Sequence, residues 1–212
     1  MPNDVAEQDT DRGYTPAKQA RSRKTEQKFL DAAEVAFAKN GFAGSRIADI
    51  ISASGASTGS FYHRFSDKRD LFEVMLARIW EALAHEAREM DLSKETFGSL
   101  ANLLTHYADH SYTTIRAHIG FYRAAYEISA QDPDVWERLK ELSLVIGDRF
   151  AEVAETYADE IELDDKQQAI RHAVQVIITM AIHTSLGSGP LFPADHTELR
   201  AVVVRAALGV LR

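Results

Sequence analysis

The feature that most restricts the fold of this chain is the spacing of its apolar residues, which follows a helical period along almost the whole length. Between Thr25 and Asn40, phenylalanine and alanine recur three and four positions apart, which places them on one face of a helix. Gly41 follows directly, and glycine readily adopts the left-handed conformation that ends helices. No stretch alternates apolar and polar residues in the manner of a strand. The sequence therefore predicts an all-α fold.

Two shorter helices are predicted next, over residues 46–54 and 58–63. Ser45 and Ser57 are candidates for their amino-terminal caps, and Gly55 opens the three-residue turn between them. Two helices joined by such a turn form a helix-turn-helix, in which the second helix can enter the ~12 Å wide major groove of DNA. Tight corners also occur in helical proteins that bind no DNA, so the geometry alone leaves both interpretations open.

Helical spacing continues to the carboxyl terminus. Ser66 is the predicted cap of a long helix that runs from Asp67 to about Met90. Further helices are predicted over about 94–111, 118–130, 133–158, 165–187 and 195–211. With about nine helices in all, the chain is expected to form a small amino-terminal three-helix domain, joined by the long helix to a larger helical domain.

Charge divides the chain at the same place. The net charge is −8, but residues 12–69 carry a net charge of +6 and residues 70–212 one of −10. A basic module ahead of an acidic body indicates a polyanion-binding module, although short basic segments are equally often solvated surface, so charge alone leaves both interpretations open. We therefore expect a disordered tail over 1–22, a helix-turn-helix DNA-binding domain over 23–70 and a larger domain over 71–212.

The side chains around the short third helix have the chemistry of a nucleic-acid contact surface. Small hydroxyl side chains let the backbone approach DNA, and longer polar side chains reach phosphates. The first group is Ser57, Thr58 and Ser60, and the second is Tyr62, His63 and Arg64. Lys68 lies at the second position of the next predicted helix, where free amides and the helix dipole already favour an anion. A cation at that position is favourable when a phosphate binds between the amides and the ammonium group.

These segments resemble a known family. Residues 30–42, 47–50, 54–65 and 66–72 are similar to the TetR-type (tetracycline-repressor-like) one-component transcriptional regulators. The resemblance implies a cytoplasmic homodimer that binds a double-stranded DNA operator, with an effector-binding and dimerisation domain over 71–212. It places Thr58 and Ser60 in the major groove. It places Ser45, Tyr62, His63 and Lys68 at backbone phosphates, with Arg46 in either role.

The last two predicted helices are candidates for the dimer contact. Val174 to Ile182 is apolar on every side except Gln175 and Thr179, so this segment needs cover on more than one face. Burial against a second subunit would supply it. Together with Leu199, Val203, Ala206 and Val210, the helices near 165–187 and 195–211 are predicted to form an intersubunit four-helix bundle, which is also where the family dimerises.

Aromatic residues are concentrated in the middle of the chain and are mixed with histidine and arginine. Such a mixture is typical of an apolar pocket with a few orienting polar groups. The predicted lining is Trp80, His85, Tyr107, His110, Tyr122, Arg123 and Tyr126. The resemblance implies that this pocket binds a small-molecule effector, which we expect to be apolar or aromatic.

Several classes of site are not expected. The absence of cysteine excludes disulfides and thiolate chemistry. His106 and His110 have a metal-ligand spacing, but surface pairs of histidine are commoner, so neither a metal nor a cofactor is predicted. The segment 85–89 lacks the second histidine of a zinc-protease motif, and no nucleotide-binding or nucleophile motif is present, so an enzyme is not expected.

The longest apolar stretch is too short to span a bilayer and the amino terminus is acidic, so we expect a cytoplasmic protein without membrane contact. The function predicted from these features is that of a DNA-binding transcriptional regulator, a repressor released from a pseudo-palindromic operator by a small effector. The alternative is a constitutive DNA-architectural or partner-binding protein without an effector.

Overall fold

The computed structural model of the protein describes residues 16–188, 191–193 and 195–212. Over these residues it consists of ten α-helices and one 3-10 segment and contains no strand, which confirms the predicted all-α fold. In chain order the elements are α1 (Pro16–Gly44), α2 (Ile47–Ser54), α3 (Thr58–Tyr62), α4 (Lys68–Glu89), α5 (Lys94–Phe97), α6 (Leu100–Ala117), α7 (Ile119–Ser129), α8 (Asp134–Ala151), the 3-10 segment (Ala154–Glu160), α9 (Lys166–Ser185) and α10 (His196–Gly209). None of the helices in this part of the chain is long and apolar enough to cross a membrane.

The first helix starts earlier than the sequence predicts. It begins at Pro16, so residues 16–22, which the sequence assigns to the tail, are helical. Proline suits the first turn of a helix, because the N–H that it lacks would have no helical partner there. Residues 1–15 of the predicted tail lie outside the described residues. At the other end, Gly41 breaks the helix with φ 72° and ψ 177°, as predicted.

One serine cap around the predicted helix-turn-helix is confirmed and another is wrong. The hydroxyl oxygen of Ser57 accepts a hydrogen bond from the N–H of Ser60 at 3.2 Å, as expected of a cap. Ser45 instead donates its hydroxyl to the carbonyl oxygen of Gly41 at 2.7 Å. Helix α2 therefore begins one residue later than predicted, after Arg46, whose side chain makes no capping bond.

The cap of α4 is Asp67 rather than Ser66. The Asp67 carboxylate accepts a hydrogen bond from the N–H of Asp70 at 2.8 Å. The N–H of Ser66 itself donates to the Asp70 carboxylate at 2.9 Å, so Asp70 bonds to both Ser66 and Asp67 across the first turn. Lys68 is consequently the first residue of α4 and not the second.

Two predicted helices are interrupted in the structure. The predicted helix over 94–111 is divided at Gly98, which has φ 72°, and α6 extends beyond it to Ala117. The predicted helix over 133–158 stays α-helical only to Ala151 and then tightens into the 3-10 segment. In that segment Tyr157 is fully buried, and its hydroxyl donates to the carbonyl oxygen of Leu92 at 3.0 Å. This tertiary contact is absent from any local sequence pattern.

The apolar stretch in α9 is covered within the chain itself. Helices α6, α8 and α10 pack around α9 and bury Val174, Ile177, Ile178, Ala181 and Ile182. Leu199 and Val203 of α10 are buried as well. The expected cover on more than one face is confirmed, but helices of the same chain supply most of it rather than a second subunit. Only part of the apolar surface of α9, at Val176 and Met180, remains half-buried among the described residues.

The helices around the predicted helix-turn-helix share a continuous core with the rest of the chain. Phe72 of α4 stacks on Phe121 of α7, with ring centroids 5.7 Å apart and an angle of 11° between the rings. Helix α1 lies along α7, and α4 packs against α8. The orientation of α2 and α3 is therefore set by α1 and α4, which both contact the carboxy-terminal helices.

Candidate nucleic-acid interface and cavity

The turn between α2 and α3 has the geometry of a helix-turn-helix. Gly55 ends α2 in the left-handed conformation, with φ 64° and ψ 18°. Ser54 donates its hydroxyl to the carbonyl oxygen of Ile51 at 2.8 Å and accepts a hydrogen bond from the N–H of Ala56 at 3.1 Å. These bonds hold the three residues of the turn in one conformation and so determine where α3 begins.

Helix α3 is anchored through a cluster of phenylalanine rings. Phe61 is fully buried, and its ring meets that of Phe29 on α1 edge to face, with centroids 5.3 Å apart. Phe65, just after α3, packs against both rings at 5.2 and 5.9 Å. Aromatic pairs in these arrangements contribute beyond their buried area. One side of α3 is thus held on α1, and the opposite side faces outward.

The outward side carries most of the residues predicted to contact DNA. Thr58 and His63 are exposed, and Tyr62 is 56% exposed with its ring edge resting on Phe61. Ser57 is exposed too, and because its oxygen only accepts in the cap, its hydroxyl hydrogen remains free to donate. Arg46 is exposed just before α2.

Ser60 and Arg64 are hydrogen-bonded to each other at the edge of this surface. The Arg64 guanidinium donates to the carbonyl oxygen of Ser60 at 2.8 Å and to its hydroxyl oxygen at 3.0 Å. It also donates to the hydroxyl of Ser22 on α1 at 3.2 Å. Arg64 therefore ties α3 to α1 and orients the Ser60 hydroxyl, a role that the sequence did not indicate.

The structure does not place the side chain of Ser45 on the interface. Ser45 is only 4% exposed, and its hydroxyl is bound to the carbonyl oxygen of Gly41. The contact of this hydroxyl with a phosphate stays a prediction, and in the structure the hydroxyl has an internal partner instead. The resemblance identified the position, but the break at Gly41 turns the serine inward, where its hydroxyl satisfies a carbonyl at the end of the helix.

Lys68 has partners inside the protein. Its ammonium group donates to the carbonyl oxygen of Phe42 and, at 2.8 Å, to that of Ser45, and it lies 4.5 Å from the centroid of the Phe42 ring. Desolvation lowers the pKa of Lys68, and the nearby Glu127 carboxylate opposes that shift. Lys68 thus stabilises the turn between α1 and α2. A contact with a phosphate would be made in addition to these internal hydrogen bonds.

Helices α1 and α7 meet with almost no space between their backbones. The Glu34 carboxylate of α1 accepts hydrogen bonds from the N–H groups of Gly120 and Phe121 in the first turn of α7, at 2.5 and 2.9 Å. Burial raises the pKa of Glu34, and these two bonds and the nearby His118 oppose the rise. A Cβ atom at Gly120 would lie 2.0 Å from the carbonyl oxygen of Glu34, so only glycine fits this position.

Two further bonds connect α7 to the end of α1. The Arg123 guanidinium donates to the carbonyl oxygen of Ala38 at 2.6 Å. The Glu127 carboxylate accepts a hydrogen bond from the N–H of Ala43 at 2.9 Å. Helix α7 therefore holds α1 on both sides of the Gly41 break, directly before α2. We call this contact between α1 and α7 the α1–α7 seam. The sequence contains no local signal for it, because its residues are about 85 positions apart.

A cavity of about 470 Å³ lies among α4, α6, α7, α8 and α9. Its wall is mostly apolar, with a few hydroxyl, imidazole and charged side chains. The lining residues are Leu83, Glu86, Ala87, Met90, Tyr107, His110, Ser111, Thr114, Ile115, Tyr122, Trp136, Leu139, Lys140, Leu142, Ser143, Leu144, Ile146, Gln175, Ile178, Thr179, Ile182 and His183. This size and composition are those of a small-molecule site.

The cavity contains three of the seven predicted lining residues: Tyr107, His110 and Tyr122. The four that it does not contain are Trp80, His85, Arg123 and Tyr126. On α4 the wall begins at Leu83, one turn after Trp80, and His85 is exposed on another side of the helix. Arg123 is part of the α1–α7 seam, and Tyr126 is exposed beside a shallow depression that also includes Trp136.

The two histidines with metal-ligand spacing have separate partners. His106 packs on the ring of Phe97 at 5.3 Å, whereas His110 faces the cavity with its Nε2 atom 3.3 Å from the Glu86 carboxylate. No group of three or more side chains able to hold a metal ion occurs in the described part of the chain.

Together these features define an all-α protein in which an amino-terminal helix-turn-helix is attached to a helical body with an internal cavity. A family model described as bacterial regulatory proteins, tetR family, matches residues 29–75, from α1 into α4. The amino-terminal segment of the chain is thus similar to this family of regulators.

Two curated relatives match only part of the chain. The chain is 32% identical over 85 residues to the HTH-type transcriptional regulator TtgR of Pseudomonas putida, which covers 39% of this chain and 40% of that regulator. It is 32% identical over 71 residues to the HTH-type transcriptional regulator AcrR of Shigella flexneri, covering 34% and 31%. The aligned segments thus span less than half the length of these curated relatives.

Solved structures match the chain over most of its length. Salmonella enterica GusR has a TM-score of 0.63 at 22% identity, covering 88% of this chain and 95% of that one. A TetR transcription regulator from Haloarcula marismortui has a TM-score of 0.64 at 17% identity, covering 89% and 97%. At these identities the likeness shows the shared fold of the helical body.

Proposed function

We propose that the protein is a DNA-binding transcriptional regulator, a repressor that leaves a pseudo-palindromic operator when a small apolar or aromatic molecule enters the cavity. The observation that carries the proposal is the outward face of α3, where Thr58, Tyr62 and His63 are exposed while Phe61 anchors the opposite face. A helix that served only as a packing corner would not need exposed hydrogen-bonding side chains there. The similarity of residues 29–75 to the tetR family of bacterial regulatory proteins supports the same function.

The exposed residues divide into two roles in this proposal. Thr58 and Ser60 contact base edges in the major groove, and Ser57, Tyr62 and His63 contact phosphates. Arg46, exposed before α2, adds a further charge for the DNA backbone. Base contacts set the preferred sequence, whereas phosphate contacts set affinity for all sequences and its dependence on salt.

Two copies of the chain would present two α3 helices to one operator. Half-sites on the same face of DNA lie one helical turn apart, about 34–36 Å, so the copies must be held at a defined distance. We place the contact on the outer faces of α9 and α10. Val176 and Met180 of α9 are half-buried there, and Leu208 of α10 is half-buried as well. Burial of these side chains in a homodimer would complete their cover.

Two helices connect the cavity to the helix-turn-helix. Helix α4 lines the cavity with Leu83 and Glu86 and begins beside α3 with Lys68. Helix α7 lines it with Tyr122 and grips α1 through the α1–α7 seam. An effector that fits the cavity better in the arrangement that cannot bind DNA favours that arrangement through one or both helices. A coupling of ~1–3 kcal/mol would change operator affinity ~5–150-fold, and the operator would weaken effector binding by the same factor.

The proposal is tested by selecting binding sites from random-sequence DNA and titrating the purified protein against them by fluorescence anisotropy at two salt concentrations. We expect a two-fold symmetric site and a steep fall of affinity with salt. Thr58→Ala should change the preferred sequence, and Tyr62→Phe should weaken binding to all sequences alike. Thr156→Ala, which alters an exposed threonine in the 3-10 segment, is the matched control and should leave both properties unchanged. A folded protein that enriches no site would refute the proposal.

The second candidate function is a constitutive DNA-architectural or partner-binding protein without an effector. A tightly filled carboxy-terminal core would favour it, whereas this core contains a cavity of about 470 Å³. The two functions differ in one titration. An effector-controlled regulator binds its operator more weakly in the presence of a cavity ligand, and an architectural protein binds it equally well.

A further inference from the structure

The polar groups of the cavity are not spread evenly over its wall. Tyr107, Ser111 and Tyr122 are each more than nine-tenths buried and lie on α6 and α7. The cavity residues on the outer part of α8 and α9, such as Leu144 and Thr179, are exposed. The three hydroxyl groups therefore lie on the enclosed part of the cavity wall, away from exposed lining residues such as Leu144 and Thr179.

One of these three buried hydroxyl groups, that of Ser111, lacks a hydrogen-bond partner among the described residues. Burial raises the pKa of Tyr122 to about 12, and no neighbouring group offsets it. Burial also raises the pKa of Tyr107, and the adjacent Ser111 opposes that rise, although the two hydroxyls do not meet full hydrogen-bond geometry. Buried hydroxyls without partners are costly, so a ligand that bonds to them is favoured over one that cannot.

The charges near this cluster disfavour an anionic ligand. The carboxylate of Glu86 acts on the Tyr107 hydroxyl and lies 3.3 Å from His110. The charged amine on the cavity wall is Lys140, which is more than half exposed and bonded to Glu137 at 2.6 Å. Among the described lining residues, no lysine or arginine faces the three hydroxyl groups. A carboxylate or phosphate bound at the three hydroxyl groups would lose its water without gaining a lysine or arginine partner.

The rest of the cavity suits an apolar body. Trp136 and Leu139 of α8 face Ile178 and Ile182 of α9 across it. Burial of an aromatic or aliphatic skeleton between these walls supplies binding energy without directional requirements. Resting on the effector site of the proposed function, we infer that the cavity selects neutral apolar molecules bearing a hydroxyl or phenol head group, which hydrogen-bonds with Tyr107, Ser111 and Tyr122 on the enclosed part of the wall.

Three probes of the same skeleton test this inference. They are 4-phenylphenol, 4-methylbiphenyl and biphenyl-4-carboxylate, which differ only in a hydroxyl, methyl or anionic head. Binding is followed in the full chain by tryptophan emission, since Trp136 lines the cavity and Trp80 does not. Trp80→Phe should retain the ligand-induced change, and Trp136→Phe should lose it, which assigns the signal to the cavity.

We expect 4-phenylphenol to bind at least about tenfold more tightly than 4-methylbiphenyl, because the methyl group leaves the hydroxyl cluster unpaired. Biphenyl-4-carboxylate should bind most weakly. Tyr122→Phe and Ser111→Ala should each reduce the preference for the phenol at least threefold. Tyr126→Phe, which removes a hydroxyl from an exposed tyrosine on the same helix as Tyr122, should leave it unchanged.

Four results would overturn the inference: a preference for the phenol below tenfold, a preference that both cavity variants leave intact, tightest binding of the carboxylate, or no binding of any probe. Operator binding is measured separately on the same preparation without ligand. If the protein binds its operator but shows no head-group preference, the inferred ligand class is refuted and the proposed function stands. If it shows the preference but binds no DNA, the proposed function is refuted and the inferred ligand class stands.

Discussion

Gly120 offers the sharpest test of how the amino-terminal helices are attached to the body. In the structure an alanine Cβ at this position would lie 2.0 Å from the carbonyl oxygen of Glu34 and 2.8 Å from the N atom of Ala38. Both are backbone atoms of α1, so no side chain can rotate away. To reach an ordinary contact of 3.4 Å from the oxygen, α1 and α7 would have to separate by about 1.4 Å.

The cost of Gly120→Ala follows from that separation. Overpacking of this kind costs about 1–3 kcal/mol. The same movement stretches the bonds from the N–H groups of Gly120 and Phe121 to the Glu34 carboxylate, now 2.5 and 2.9 Å, and a bond to a charged group contributes about 1.5–3 kcal/mol. The better helix propensity of alanine returns about 1 kcal/mol. We therefore expect the free energy of unfolding to fall by about 1.5–5 kcal/mol, which lowers Tm by roughly 3–20 °C.

Thermal unfolding followed by circular dichroism measures this change, with Gly147→Ala as the matched control. Gly147 is also buried in a helix, but an added Cβ would meet its nearest neighbour, the Cγ atom of Arg171, at an ordinary 3.5 Å. The control should therefore keep or slightly raise the Tm, since alanine favours the helix. Equal Tm values for Gly120→Ala and the wild type would refute the argument that the α1–α7 seam is a backbone contact.

Three further predictions concern single side chains. Arg46→Ala should weaken binding to all DNA sequences. In anisotropy titrations over a salt series it should also reduce the slope of log affinity against log salt by about 0.9, the value for one phosphate. An unchanged slope would show that Arg46 does not contact the DNA. Lys68→Met should lower the Tm, because the carbonyl oxygens of Phe42 and Ser45 lose their charged donor, and a Tm equal to that of the wild type would show that these bonds are unimportant. Phe72→Ala should destabilise the protein by about 3–5 kcal/mol in urea unfolding, because it leaves a hole beside Phe121 where the two parts of the core meet, and a loss below about 1 kcal/mol would contradict that role.

The sequence determined the features that depend on a few neighbouring residues. The apolar spacing specified helices, Gly55 ended α2 in the left-handed conformation as predicted, and Gly41 interrupted α1 with a positive φ. Ser57 capped α3 as expected, because the cap bond joins residues only three positions apart. Family motifs are local in the same sense, so the resemblance also identified the segment that the family model matches.

Choices between adjacent candidates were decided by tertiary contacts. Both Ser66 and Asp67 are able to cap α4, and the structure uses the aspartate. Ser45 is a residue type that can cap a helix or bind a phosphate. In the structure its side chain is buried, and its hydroxyl donates to the carbonyl oxygen of Gly41. The 3-10 turn after α8 likewise depends on Tyr157 reaching Leu92, 65 positions away.

The cavity and the α1–α7 seam depended almost entirely on the tertiary structure. Composition correctly indicated that the middle of the chain contains a pocket, but the wall is set by the rotation of each helix about its axis. Tyr122 therefore faces the cavity, while Arg123, its neighbour on α7, bonds to α1. The α1–α7 seam joins residues on helices that are far apart in the chain, so the spacing of apolar residues along the sequence does not predict it. Local backbone preferences act over one or two turns, whereas helix packing decides which faces meet, and that is why the sequence specified the helices and the fold decided the sites.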